Sequence, residues 1–151
     1  LQRNKVRRTI ACIDLLHAGD SLRLIRSVSA ESVKQGMVTQ VLIEVNVSGD
    51  GNKHGFRPSE LESVLEIVSA LPNIDIQGMM AMAGLDSDLS KTQREFAELR
   101  QLREDLGSRC PENISLQHLS MGMTRDYEVA VREGATIVRI GTALFDGVPR
   151  V

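Results

Sequence analysis

The feature that most constrains the fold is a strand-and-helix unit that recurs along the whole chain. Five segments have the apolar alternation or the β-branched composition of buried strands, at residues 14–18, 40–48, 74–82, 114–119 and 135–140. Helices are predicted between them at residues 22–34 and 59–71, over about four turns before Gly107, and at residues 125–133. Because strands alternate with helices roughly every 30 to 40 residues, we predict an α/β fold with a parallel sheet.

The most informative stretch runs from residue 114 to residue 145. We predict that its first strand ends before Ser120, that Thr124 caps the helix over residues 125–133, and that the second strand is followed by Gly141 and Thr142. Two strand ends that carry glycine and hydroxyl groups are typical of an anion site, because backbone N–H groups can approach the ligand there. A helix that begins at one of them adds a favourable dipole.

Arg139 lies within a run of apolar β-formers, where a permanently charged guanidinium needs a partner. Two interpretations remain open from position alone. The side chain either binds an anionic or polar ligand, or it reaches solvent or a structural carboxylate. The phosphate-type turn two residues further on favours the ligand interpretation.

Composition excludes several classes of partner. A net charge of −2, an aromatic content of 3% and the absence of Trp argue against a nucleic-acid surface. No segment is long and apolar enough to span a bilayer.

Cys12 and Cys110 have no metal-site spacing, and reduced thiols in the cytoplasm are the simplest explanation for them. His17, His54 and His118 are too far apart in sequence to suggest a metal site.

Two other predicted strand ends carry candidate groups. Asn46 and Ser48 close the strand over residues 40–48, at the end where a barrel presents its functional side chains, although both could instead begin the following loop. Met80 belongs to a methionine cluster at the end of the strand over residues 74–82, and such clusters are more often core filling than a ligand site.

Several motifs together resemble a known family. The segment LSMGMTRD at residues 119–126, with VRIGT at residues 138–142 and Phe145, resembles the signature of the pyridoxal-phosphate homeostasis proteins (YggS/PROSC type). Further similarity lies in LQRNK at residues 1–5, VNVS at residues 45–48, KHGF at residues 53–56 and QGMM at residues 77–80. The resemblance covers the whole chain. It implies the alanine racemase N-terminal, fold-type III architecture, which is a (β/α)8 TIM-type barrel. Residues 1–151 would form one domain, a C-terminal portion of about strands 4 to 8 that lacks the first strands.

The resemblance also implies a cofactor and its contacts. The family binds pyridoxal 5′-phosphate (PLP) through a Schiff-base lysine on its first strand, so that lysine is expected upstream of residue 1. The cofactor-binding residues implied for this chain are Ser120, Gly122, Met123, Thr124, Gly141 and Thr142 around the phosphate, Arg139 at the pyridine nitrogen, and Asn46 and Met80. Thr124 stands where the family usually has Ser, which keeps the hydroxyl.

The function implied is that of a cytoplasmic PLP carrier, without established catalysis, that supplies PLP-dependent apoenzymes. Two alternatives remain open. The first is a fold-type III enzyme such as an amino-acid racemase, which needs a second base, usually a Tyr from an additional domain; the only tyrosine here is Tyr127. The second is a phosphate-binding barrel enzyme that uses no PLP.

Overall fold

Five parallel strands, paired in sequence order, form a single sheet. The structure, a computed structural model, describes residues 1–51, 53–84 and 87–147. The strands are β1 (Leu15–Gly19), β2 (Thr39–Glu44), β3 (Ile74–Met80), β4 (His118–Met123) and β5 (Ile137–Arg139). The predicted α/β fold with a parallel sheet is therefore confirmed.

A helical segment leads into each strand. The helices are α1 (Val6–Thr9), α2 (Leu22–Gln35), α3 (Leu61–Ser69), α4 (Leu89–Gly107) and α5 (Tyr127–Arg132). Short 3₁₀ turns extend α1 at both ends, precede α3 at Pro58–Glu60 and follow β5 at Thr142–Phe145. Side-chain caps start two of the long helices: the Ser21 hydroxyl accepts from the Leu24 amide, and the Asp88 carboxylate accepts from the Lys91 amide. No helix among the described residues is both long enough and apolar enough to cross a membrane.

The main apolar core lies between the sheet and the helices. Val41, Ile43 and Val45 alternate along one face of β2 and its extension, and all three are buried in this core. The apolar residues of α3 recur at helical spacing in the sequence and so predict a buried stripe. This prediction is confirmed, because its four members are buried in the same cluster: Leu61, Val64, Leu65 and Val68. For α2 the same spacing predicts a stripe of Leu22, Ile25, Val28 and Val33. The prediction is wrong at Val33, which is 48% exposed, and Ser32 is the buried residue one turn after Val28.

The opposite face of the sheet is also buried but carries polar groups. Glu44, Met80 and Ser120 are register partners on β2, β3 and β4, so their side chains lie side by side on that face. Each is at most 6% exposed. A flat sheet with one solvated face would expose them, and their burial indicates that this face is enclosed.

The sheet is curled around this polar face. His17 on β1 and Ser120 on β4 are three strand spacings apart, which would separate them by roughly 14 Å in a flat sheet. Their side chains nevertheless come within hydrogen-bonding distance, with His17 Nδ1 2.9 Å from Ser120 Oγ. Arg139, at the end of β5, likewise reaches the Ala81 carbonyl that follows β3, at 3.1 Å. The concave face therefore brings together side chains from distant parts of the sequence.

Several predicted bounds need correction. The strand predicted at residues 114–119 begins and ends four residues later, as β4 (118 against 114, and 123 against 119). Gly122 therefore lies within the strand and does not end it. The strand predicted at residues 40–48 ends at Glu44. Beyond it the returning loop pairs with the chain, because the Phe56 amide donates to the Glu44 carbonyl and the Asn46 amide donates to the Phe56 carbonyl. The Val45 amide still donates to the Met80 carbonyl, so the pairing with β3 continues one residue past β2.

The helix predicted at residues 125–133 is shorter, spanning Tyr127–Arg132. Thr124 does not cap it. The Asp126 carboxylate instead accepts a 2.6 Å hydrogen bond from the Met123 amide, which closes a turn before the helix starts. The helix also has only six residues, so the anion site predicted at its N-terminus has little dipole to draw on.

Candidate functional site

The candidate site lies where β3, β4 and β5 end, as expected for the carboxyl edge of a parallel sheet. A cavity of about 360 Å³ opens there. Six of the predicted site residues line it: Gly122, Met123, Thr124, Arg139, Gly141 and Thr142. A second cavity of about 370 Å³ adjoins it, shares Met82, Ala83 and Met123 with it, and is lined also by Asn46. Ser120 and Met80 line neither of these two cavities.

Four polar groups converge at the outer end of the first cavity. The Thr124 hydroxyl oxygen accepts from the Gly141 and Ala143 amides, both at 3.4 Å, and from the Thr142 hydroxyl at 3.1 Å. Distances of 3.4 Å are at the weak end for an N–H···O bond. The two amides are therefore poorly satisfied by one neutral hydroxyl, and a charged acceptor placed among them would bind them more strongly.

Gly122 makes this turn tight. Its φ of 92° is in the region that favours glycine, and a Cβ there would lie 2.5 Å from the Ala130 Cβ and 3.0 Å from the Tyr127 Cα. Because no side chain intervenes, β4 packs directly onto α5. The hydrogen bonds of the Thr124 hydroxyl link the following turn to the segment after β5.

Met123 contributes its side chain and not its backbone to the site. Its amide already donates to Asp126, while the side chain is 47% exposed and lines both cavities. The prediction that backbone N–H groups at these two strand ends face an anion therefore rests on the Gly141 and Ala143 amides, which follow β5. Ala143 is a residue that the sequence analysis did not single out.

Arg139 is held by three hydrogen bonds from its guanidinium. Nη1 donates to the Ser120 carbonyl at 3.0 Å and to the Ser120 hydroxyl at 2.7 Å, and Nη2 donates to the Ala81 carbonyl at 3.1 Å. Burial lowers the pKa of Arg139 from its usual value, while the charges of Glu44 and Asp126 act in the opposite direction. Among the described residues Arg139 makes no ion pair within 4 Å and no hydrogen bond from its Nε. That N–H and the second Nη2 N–H are free to meet a ligand.

Ser120 lies behind Arg139, away from the open cavity. Its side chain is fully buried, and its hydroxyl contacts both Arg139 Nη1 and His17 Nδ1. The pKa of His17 is lowered, first by burial and then by the positive charges of Arg139 and His118. The sequence carries no signal for this arrangement, because His17 and Ser120 meet only through the curl of the sheet.

The second cavity joins a loop to the site. The Asn46 amide group is engaged within that loop, because its Nδ2 donates to the Asp50 carbonyl and its Oδ1 accepts from the Ser48 hydroxyl. Lys53 Nζ donates to the Ala83 carbonyl at 2.8 Å and so ties the loop to the segment after β3. Asn46 and Met80 remain predicted cofactor contacts, and Met80 is 5% exposed.

Glu44 is a buried carboxyl group in the wall of the second cavity. Burial, followed by the nearby charge of Asp20, raises its pKa above the usual value of 4.5, and the positive charges of His54 and Arg139 offset part of that rise. No hydrogen bond to its side chain occurs among the described residues. Within the same residues, no three His, Cys, Asp or Glu side chains are grouped as metal ligands would be.

Comparison with known proteins shows extensive similarity. The family described as alanine racemase, N-terminal domain, matches residues 2–149. The pyridoxal phosphate homeostasis protein of Aquifex aeolicus is 41% identical over 145 residues, which cover 96% of this chain and 63% of that protein. The corresponding protein of Pseudomonas aeruginosa is 38% identical and is covered to 60%. The chain thus spans less than two thirds of the length of these relatives.

Solved structures agree with the sequence comparison. PipY of Synechococcus elongatus PCC7942 without PLP superposes with a TM-score of 0.89 at 35% identity, over 96% of this chain and 67% of that one. The structure of PipY with PLP bound gives a TM-score of 0.87 at 34% identity, over 96% of this chain and 66% of that one.

Proposed function

The chain belongs to the alanine racemase N-terminal domain family, with pyridoxal phosphate homeostasis proteins among its relatives, and we propose that it binds PLP and serves intracellular PLP homeostasis. In this role it buffers the cofactor or delivers it to PLP-dependent apoenzymes in the cytoplasm. PipY, at 34% identity, has been solved with PLP bound, which supports the choice of ligand.

The architecture that goes with this function is part of a (β/α)8 barrel. We propose that residues 1–151 form one domain and that β1 to β5 correspond to about strands 4 to 8 of the barrel. The sequential order of the parallel strands and the curl that joins His17 to Ser120 both support this assignment.

One observation supports the proposal most strongly. Backbone and hydroxyl donors with weak hydrogen bonds lie at one end of the cavity, and the guanidinium of Arg139, fixed by hydrogen bonds, lines its wall. Phosphate is a dianion that needs several donors, which the Gly141 and Ala143 amides and the Thr124 and Thr142 hydroxyls supply. Gly122, next to this end, lets β4 pack closely against α5. The cavity volume of about 360 Å³ is in the range of small-ligand sites. These residues therefore fit the phosphate of PLP.

Arg139 determines what kind of PLP protein this is. We assign its free N–H groups to the pyridine nitrogen and the Met123 side chain to the apolar ring. PLP supplies a reactive aldehyde conjugated to a ring that withdraws electrons best when its nitrogen is protonated. A permanent cation beside that nitrogen disfavours its protonation, so Arg139 weakens the electron withdrawal that carbanion chemistry needs. A carrier is the function that this arrangement suits.

A racemase-type reaction is less well supported by the same residues. Tyr127, the only tyrosine, lies on α5 and lines neither of the two cavities at the site. A second base for proton transfer must lie within hydrogen-bond reach of the reacting carbon. Tyr127 therefore does not meet that requirement here.

The test is binding of PLP and of pyridoxal, which lacks the phosphate, to the intact protein by calorimetry. Thr124→Val removes the hydroxyl at which the donors converge, and Thr124→Ser keeps it. We expect Thr124→Val to weaken PLP about tenfold, the loss of one charge-assisted hydrogen bond, and to leave pyridoxal unchanged. Thr124→Ser should change PLP affinity by less than about threefold. Equal loss of both ligands would contradict the phosphate assignment, and equal binding of simple phosphate esters would contradict PLP as the ligand.

A further inference from the structure

The Ser120 hydroxyl bridges two side chains from opposite edges of the sheet. It lies 2.9 Å from His17 Nδ1 on β1 and 2.7 Å from Arg139 Nη1 on β5. We propose that His17 is a positioning residue for Arg139, acting through Ser120 as a neutral imidazole that carries its proton on Nε2. This inference rests on the proposed function only for the identity of the ligand that Arg139 meets. The hydrogen bonds among His17, Ser120 and Arg139 do not depend on the proposed function.

The directions of these hydrogen bonds follow from the donors available. A guanidinium has no acceptor, so Arg139 must donate to the Ser120 oxygen. Ser120 has a single hydroxyl hydrogen and is fully buried, so water cannot accept that hydrogen. Among the described residues, the only acceptor near the hydroxyl is His17 Nδ1. The Ser120 hydroxyl therefore donates to Nδ1, and the proton of a neutral His17 resides on Nε2.

The charges around His17 favour the neutral imidazole. Arg139 faces it from β5 and His118 from β4, and both positive charges oppose protonation. The charges of Glu44 on β2 and Asp126 after β4 act on Arg139. An imidazolium at position 17 would place an N–H against the Ser120 hydroxyl and a second partly buried cation near Arg139. Burial accounts for the largest part of this cost and the two charges add to it, and the pKa of His17 is lowered as a result.

The bridge matters for Arg139 because it directs the Ser120 oxygen. While the hydroxyl hydrogen points at His17, the oxygen lone pairs face Arg139 Nη1. The guanidinium plane is then held by that oxygen and by the Ser120 and Ala81 carbonyls. Without an acceptor at position 17, the buried hydroxyl hydrogen loses its partner, and any rotation to find another turns the lone pairs away from Arg139. The free N–H groups of Arg139 would then be less well fixed toward the ligand.

Nitrogen NMR of the imidazole rings in cofactor-free intact protein tests the arrangement directly. At pH 7 we expect His17 to show an unprotonated Nδ1 and a protonated Nε2, and Ser120→Ala to shift the Nδ1 resonance. A proton on Nδ1, or an imidazolium at pH 7, would overturn the proposal. Because no ligand is present, this result is independent of whether the protein binds PLP.

A double-mutant cycle tests the coupling to Arg139. His17→Leu removes the acceptor at similar volume, and His17→Asn retains one near the position of Nδ1. With PLP as the probe, we expect His17→Leu to weaken binding about tenfold and His17→Asn by less than about threefold. In a Ser120→Ala background, His17→Leu should have no further effect on PLP affinity. His17→Leu should also move the pH midpoint of the bound cofactor's absorbance spectrum, which a general loss of stability would not do.

Two results would overturn the coupling. One is that the His17→Leu and Ser120→Ala effects multiply, which would mean that the residues act independently. The other is that His17→Asn is as damaging as His17→Leu, which would make the role of His17 a matter of volume. Ser27→Ala, which removes a hydroxyl that bonds only within α2, is the matched control and should leave PLP affinity unchanged. If wild-type protein does not bind PLP, the proposed function fails while the NMR result still decides the hydrogen-bond arrangement.

Discussion

Gly78 on β3 packs directly against the backbone of its register partner His118 on β4. A Cβ at position 78 would overlap the His118 carbonyl oxygen and lie 2.7 and 2.8 Å from the His118 carbonyl carbon and amide nitrogen. Backbone atoms in a paired strand cannot move aside as a side chain can. We therefore expect Gly78→Ala to lower the free energy of unfolding by about 3 kcal/mol, measured by urea denaturation of the intact protein.

Gly107, at the end of α4, is the matched control for this substitution. No atom would lie within 4 Å of a Cβ built there, and its φ is not positive. Gly107→Ala should be neutral or stabilise by up to about 1 kcal/mol, because alanine restricts the unfolded chain and favours the helix. Similar losses for the two variants would mean that steric overlap at Gly78 is not the cause.

The parts of the fold that depend on periodicity within one element were predictable from the sequence. The burial of Leu61, Val64, Leu65 and Val68 follows from helical spacing, and the parallel sheet follows from alternating strand and helix signals. The bounds of β4 were not predictable in this way. Residues 114–117 have the apolar alternation of a strand, yet only Ser115 bonds to β3 there, through the Ile76 carbonyl. Pairing depends on the neighbouring strand, which periodicity does not describe.

In the candidate site, too, only the features that depend on local sequence were predictable. The turn that carries Thr124 and the glycine after Arg139 stand in short recognisable motifs, and the structure brings Gly122, Thr124, Arg139, Gly141 and Thr142 to one cavity. The partners of Arg139 could not be predicted. His17 lies 103 positions before Ser120, and only the curvature of the sheet brings their side chains together. A local sequence pattern does not indicate a contact between residues so far apart in the chain.

The start of α2 offers a test of local structure. The Ser21 hydroxyl accepts from the Leu24 amide, one of the donors that have no partner within the helix. Ser21→Ala should therefore lower the free energy of unfolding by about 1 kcal/mol. Ser27→Ala, within the same helix, should be neutral or slightly stabilising because alanine has the higher helix propensity. Thermal or urea unfolding of both variants measures these free energies. Equal effects of the two substitutions would argue against a stabilising hydrogen bond from the Leu24 amide to the Ser21 hydroxyl.

Arg139 should not be replaceable by lysine. Its three acceptors, the Ser120 carbonyl and hydroxyl and the Ala81 carbonyl, are arranged around a planar fork. A lysine ammonium is a point charge on a flexible stem and cannot meet them with the same geometry. We expect Arg139→Lys to lower the free energy of unfolding by about 1–2 kcal/mol and Arg139→Met, which leaves the acceptors without donors, by about 2–3 kcal/mol. The measurement is urea unfolding of both variants. A lysine variant as stable as wild type would show that the planar geometry of the guanidinium is not required.

Glu44 should make stability depend on pH in a direction opposite to that of an ion-paired carboxylate. Its side chain is 6% exposed and lies beside Met80 on the enclosed face of the sheet. Burial, more than the charge of Asp20, raises its pKa, so the folded protein holds the Glu44 proton more tightly than the unfolded chain does. The contribution of Glu44 to stability is therefore complete below the unfolded value near 4.5 and is lost as the pH rises through the folded pKa.

Glu44→Gln removes this titration while keeping the volume. The difference in unfolding free energy between Glu44→Gln and wild type should shift in favour of the variant as the pH is raised from 4 to 8, because only wild type must hold a buried charge at the higher pH. Glu98→Gln, on the exposed face of α4, makes the same change from carboxyl to amide away from this site and supplies the control. The measurement is urea unfolding across that pH range. A difference that shifts toward wild type with rising pH would show that Glu44 is stabilised as a carboxylate, and that the nearby Arg139 and His54 charges outweigh its burial.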